Sequence, residues 1–125
     1  MSRVLVVEDN ALSRELVRAL LEHHGHEVVD AGSAEGAREA FRGAACELVV
    51  MDIQFPGGGG EALLQEFRAS VGASVPVIAL TALAMSGDRE RLLGLGFDGY
   101  VSKPIDTKAF INEVTRLIEA GKKAP

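Results

Sequence analysis

Five short β-forming runs alternate with helix-spaced stretches along the whole chain, and that alternation leaves few folds open to it. The runs are residues 3–7 (RVLVV), 26–31 (HEVVDA), 47–52 (ELVVMD), 75–80 (VPVIAL) and 100–101. Three of them are apolar at successive positions rather than at every second one, which marks strands buried on both faces. Strands joined through helices lie parallel, because each helical crossover returns the chain to the same end of the sheet. The expected fold is therefore a doubly wound, three-layer α/β sandwich.

The helical stretches carry their own start and stop signals. Asn10 is placed to cap the first, in which Leu12, Leu16, Val17, Leu20 and Leu21 recur at helical spacing up to Gly25. Leu12, Leu16 and Leu20 are read as core. Ser33 caps the second, with Ala34, Ala37, Ala40 and Phe41 inward and an end near Gly43. Pro56 and four glycines, Gly57, Gly58, Gly59 and Gly60, forbid regular structure before a third helix over about 61–69, whose inner residues are Leu63, Leu64 and Phe67. The fourth covers roughly 86–95, from Ser86. The last is capped by Asp106 or Thr107 and turns Phe110, Val114, Leu117 and Ile118 to the core. Residues 121–125 read as a loose tail, which leaves 1–120 as one domain.

Charge narrows the function. Thirteen basic against 18 acidic residues give a net charge of −5, so the domain has no field with which to gather nucleic acid or anionic lipid. No apolar run reaches the ~20 residues that a membrane span needs. Cys46 is the only cysteine, which excludes a disulfide framework or a thiolate zinc site and fits a reducing cytoplasm.

The strand ends carry the chemistry. The first run stops at Glu8 and Asp9, the third at Asp52, the fourth at Thr81, and the fifth delivers Ser102, Lys103 and Pro104. In an open α/β sheet these ends share one edge, where ligands bind. Three carboxylates converging there repel one another, and a divalent ion removes that penalty. Oxygen-only ligands with room for water suit Mg²⁺ better than zinc. Lys103 adds a fixed positive charge and Thr81 a hydroxyl donor, both suited to a negative phosphoryl group. The set describes a phosphoryl-transfer site with Asp52 as acceptor.

The stretches VLVVEDN, VVMDIQFP, PVIALTA and YVSKP, in that order and spacing, resemble the receiver domain of two-component response regulators. The likeness runs from Arg3 to about Ile118. Within the family, AMSGDRERLLGLGFDGYVSKP is most similar to receivers of stand-alone regulators and hybrid sensor kinases. The resemblance implies a five-stranded parallel sheet of order 2-1-3-4-5 and a phosphoacceptor rather than an enzyme. It implies phosphorylation of Asp52 from a histidine kinase or a histidine phosphotransfer protein. It also implies direct Mg²⁺ ligation by Asp9, Asp52 and the backbone carbonyl of Gln54, with Glu8 acting through water. By the same resemblance the bond before Pro104 is cis, the small Ala82 leaves access to the phosphoryl group, and Leu83 flanks the route of hydrolytic water. Tyr100 becomes a rotamer switch coupled to Thr81, although its residue type alone better fits an ordinary half-buried strand aromatic. A downstream protein partner is then expected on the fourth helix, fifth strand and last helix, with no role for nucleic acid or membrane. The four successive glycines depart from the family pattern and leave that loop's geometry open.

Other features have plainer readings. His23, His24 and His26 straddle Gly25 near a helix C-terminus, where cations are favoured without any metal. Cys46 has no basic neighbour to activate it. The alternative function is a phosphate-independent pseudo-receiver, a module of the same fold that uses no phosphate. A flavin carrier would need aromatic stacking partners, and the chain has no Trp and one Tyr.

Overall fold

The computed structural model describes residues 2–43, 46–53, 59–69, 75–82 and 88–123. Ten elements alternate in it: β1 (Arg3–Val7), α1 (Ala11–His23), β2 (Glu27–Ala31), α2 (Ala34–Gly43), β3 (Leu48–Asp52), α3 (Gly59–Ala69), β4 (Val77–Thr81), α4 (Asp88–Leu95), β5 (Gly99–Ser102) and α5 (Thr107–Lys123). The strands form one parallel sheet in the order β2-β1-β3-β4-β5. The sequence expectation of a doubly wound α/β fold with that order holds.

Each face of the sheet carries its own apolar layer, set by the two-residue repeat of the strands. On one side Leu5, Val7, Val49, Met51, Val77 and Ala79 meet Phe41 of α2, Leu63, Leu64 and Phe67 of α3, and Leu92 of α4. Phe41 and Phe67 pack there as a tilted pair 4.3 Å apart. On the other side Val4, Val6, Leu48, Val50, Ile78 and Leu80 meet Val17 and Leu21 of α1 and Phe110, Val114, Leu117 and Ile118 of α5. Among the described residues no helix is long and apolar enough to cross a membrane.

Three expectations about the helices need correction. Leu12 and Leu16 are not core: they are 78% and 48% exposed, while Val17 and Leu21 are the buried residues of α1. The helical spacing allowed either stripe, and docking against α5 selected the second. Gly59 and Gly60 do not belong to an irregular loop but open α3. A Cβ on Gly60 would lie 2.7 Å from the Asp52 carbonyl oxygen, and the Gly60 N–H bonds the Ile53 carbonyl at 3.2 Å, so glycine here lets the helix start press against the end of β3. Finally, α5 runs through Gly121 to Lys123 instead of giving way to a loose tail at residue 121. One glycine costs a helix only about 1 kcal/mol relative to alanine, too little to end it. Gln54, Gly57, Gly58, Leu83 and Ser86 lie outside the described residues.

Candidate functional site

Strand register decides which side chains meet at the carboxyl edge. Val7 is level with Met51, so Glu8 and Asp52 occupy the next rung; Thr81 is level with Ser102, and Lys103 follows one residue on. Alternation continues the face of Val6, Val50 and Val101 into Glu8, Asp52 and Lys103, whereas Thr81 continues the opposite face, shared with Ala79 and Tyr100. The backbone holds the rung together beyond the strands: Ile53 N–H donates to the Leu80 carbonyl at 3.0 Å and Lys103 N–H to the Thr81 carbonyl at 2.7 Å. The Lys103–Pro104 bond is cis.

The site is buried and charged. Glu8 and Thr81 are 0% exposed and Asp52 4%, while Asp9 stands in solvent. Lys103 Nζ donates to Glu8 Oε1 at 2.6 Å and to Asp52 Oδ2 at 3.2 Å. Burial, then the neighbouring Asp52 carboxyl, push Glu8 up to about 7, and Lys103 only partly opposes them. Burial works against the charged amine of Lys103, but Glu8 and Asp52 outweigh it and raise its pKa above the ordinary lysine value.

Carboxylate oxygens of Glu8, Asp9 and Asp52 lie within 4.8 Å of one another. All are hard oxygen donors, and the cost of ionising Glu8 among them is what a divalent cation removes; the set fits Mg²⁺. Among the described residues this is the group of acid, histidine and cysteine side chains spaced for a metal ion, and the three histidines form none. His23 and His24 instead meet edge-on at 5.3 Å, and His24 Nδ1 lies 2.9 Å from the Leu20 carbonyl at the end of α1. Burial raises the half-buried Cys46 thiol, consistent with an unreactive residue.

Thus Glu8, Asp9, Asp52 and Lys103 come together as the sequence predicts, with Thr81 on the neighbouring strand end and the exposed Ala82 after it. Tyr100 sits half-buried on β5, level with Ala79. Asp106, not Thr107, caps α5, its carboxylate accepting from Ala109 N–H at 3.1 Å. Arg14 was missed: its Nη1 donates to the Glu8 carbonyl at 2.9 Å. The available signal was an arginine in the first turn of a helix, where the macrodipole disfavours a cation and some other contact must compensate.

The family described as the response regulator receiver domain matches residues 4–115. The polar-differentiation response regulator DivK of Brucella ovis is 38% identical, over 89% of this chain and 91% of that one. Hybrid signal transduction histidine kinase I of Dictyostelium discoideum is 35% identical over 93% of this chain, which spans 7% of that kinase's length. Among solved structures, the receiver domain of sensor histidine kinase PA1611 from Pseudomonas aeruginosa PAO1, with a magnesium ion coordinated in its active site cleft, has a TM-score of 0.84. It is 31% identical, covering 94% of this chain and 98% of that one. Since the family match runs from the second residue of β1 through all the later strands and takes in the edge on which the acids and the lysine converge, the chain belongs to the response regulator receiver domains, the phosphoacceptor modules of two-component signalling.

Proposed function

We propose that Asp52 is the phosphoacceptor of this receiver and that Glu8 and Asp9 hold Mg²⁺ beside it, with the Gln54 carbonyl as a further ligand. The observation that carries the reading is Asp52 itself: a carboxylate 4% exposed at a strand end, 3.2 Å from Lys103 Nζ and clustered with two other acids. One Asp52 oxygen forms the bond to phosphorus as the P–N bond of a donor phosphohistidine breaks, and the electron pair leaves with the imidazole nitrogen. Mg²⁺, when bound, offsets the charge gathered on the phosphoryl oxygens. Lys103 donates to one of those oxygens and the Thr81 hydroxyl to another.

The donor is a histidine kinase or histidine phosphotransfer protein, met in the cytoplasm. Leu12 and Leu16, exposed on α1 just beyond the acid pair, offer it an apolar contact. Output runs through Thr81: drawn to the phosphoryl group, it vacates volume on the face it shares with Tyr100, and the tyrosine ring moves inward. The face of α4, β5 and α5 changes with it and binds a downstream protein. A groove of about 250 Å³ lined by Tyr100, Pro104, Asp106 and Glu113 lies on that face. The domain's charge of −5 disfavours DNA as the partner. With acetyl phosphate and Mg²⁺, intact-mass spectrometry is expected to show one added phosphoryl group, absent in Asp52→Asn and in excess EDTA. Equal labelling of the variant would overturn the assignment, and no labelling of the wild type would favour the phosphate-independent module.

A further inference from the structure

We infer that Arg14 is a positioning residue: by clamping the Glu8 carbonyl over a slot left open by Gly32, it sets the direction in which Asp9 leaves the first strand. The inference rests on the phosphoacceptor reading above and deepens it.

Glu8 is held at four atoms. Its N–H donates to the Ala31 carbonyl at 3.1 Å, Oε1 accepts from Lys103 at 2.6 Å, Oε2 accepts from Asn10 N–H at 3.4 Å, and its carbonyl accepts from Arg14 Nη1 at 2.9 Å. The last contact differs in kind from the others. The Glu8 carbonyl belongs to the peptide unit that leads into Asp9, so fixing it fixes the plane from which the Asp9 side chain departs. Asp9 is exposed, and the backbone must do most of its aiming.

Arg14 is itself well anchored. Its N–H bonds the Asn10 carbonyl at 2.9 Å, and α1 is docked through the fully buried Val17 and Leu21. The guanidinium then lies against Gly32. A Cβ on that residue would stand 2.7 Å from Arg14 Nη1 and 3.3 Å from Cζ. The glycines with positive φ are Gly25 and Gly96 among the described residues, so space, not backbone conformation, is what Gly32 provides. Two residues far apart in sequence therefore serve one contact, and either can be used to break it.

The two substitutions act differently. Arg14→Ala removes both the charge and the hydrogen bond. Gly32→Ala keeps the charge but displaces the guanidinium, and because that group ends a flexible side chain, the fold adjusts easily. Groups that orient metal ligands typically change metal affinity by about 10- to 100-fold. We expect Mg²⁺ affinity, measured by titration calorimetry, to fall about tenfold in each single variant. The double variant is expected to be no weaker than Arg14→Ala alone, since both break the same contact. In EDTA, amide NMR shifts of Glu8, Asp9 and Asn10 are expected to move in both variants, with the melting temperature of Gly32→Ala near wild type. Wild-type affinity in both variants overturns the inference. So does weakening in Arg14→Ala alone, which assigns the effect to charge and not to position, and so do additive losses in the double variant. If wild type binds Mg²⁺ and is labelled while the variants match it, the clamp fails and the phosphoacceptor reading stands. If wild type binds no Mg²⁺, that reading falls first and the clamp with it.

Discussion

Glu8→Gln is expected to flatten the pH dependence of stability in metal-free protein, because the fold holds this carboxyl in a setting that favours its neutral form. Glu8 is fully buried, and its folded-state pKa is pushed from 4.5 up to about 7 by burial and by Asp52. An acid whose pKa is raised by folding contributes stability that is fully present below its unfolded value. That contribution is lost as pH rises through the folded value. The window is therefore pH 4.5 to about 7, and the span of 2.5 units corresponds to about 3 kcal/mol at roughly 1.4 kcal/mol per unit. Glutamine keeps the shape and the acceptor oxygen and does not titrate. Urea unfolding in EDTA between pH 4.5 and 8 should give a wild-type stability that falls relative to Glu8→Gln by about 3 kcal/mol. The three histidines are common to both proteins and cancel in the difference. Lys103 is raised above the ordinary lysine value, so it loses its charge only well above this window. Excess Mg²⁺ should shrink the difference by offsetting the ionised carboxylate. Parallel curves in EDTA would refute the reasoning.

Other outcomes follow from the same geometry. Lys103→Ala should slow labelling by acetyl phosphate about 100-fold or more, the scale for losing one charged donor to a transition state, as followed by intact mass against time. Phe110→Ala empties a fully buried position under the sheet and should cost about 3–5 kcal/mol in chemical denaturation. Asp98 accepts from Arg68 Nη2 at 2.6 Å and from Val77 N–H at 2.8 Å at the edge away from the acids; Asp98→Ala should lower stability by about 1–2 kcal/mol and leave the labelling rate unchanged. Beryllofluoride with Mg²⁺ should move NMR shifts from Asp52 through Thr81 to Tyr100 and α4. Shifts confined to Glu8, Asp9 and Asp52 would remove Tyr100 from the switch.

The sequence made the site readable because four of the five strand runs stop at an acid, a hydroxyl or a lysine. Once the strands are parallel, Glu8, Asp52, Thr81 and Lys103 fall on one edge by register alone. Helix faces were less legible. Leu12 and Leu16 fit the apolar stripe of α1 as well as Val17 and Leu21 do, and only the direction of docking exposes the first pair. Gly60 looked like loop because composition cannot reveal that a helix start comes within 2.7 Å of the Asp52 carbonyl. Arg14 and Gly32 were invisible as a pair, since they lie on different elements and meet only after α1 and β2 have packed against β1.

Borohydride trapping reads directly whether the phosphoryl group sits on the carboxylate of Asp52. An acyl phosphate is reduced to the alcohol, which turns a phosphorylated aspartate into homoserine and leaves free carboxylates unchanged. After treatment with acetyl phosphate and Mg²⁺, peptide mass mapping is predicted to place homoserine at position 52, with Glu8 and Asp9 intact. Homoserine at position 9 with an unmodified Asp52 would contradict the account.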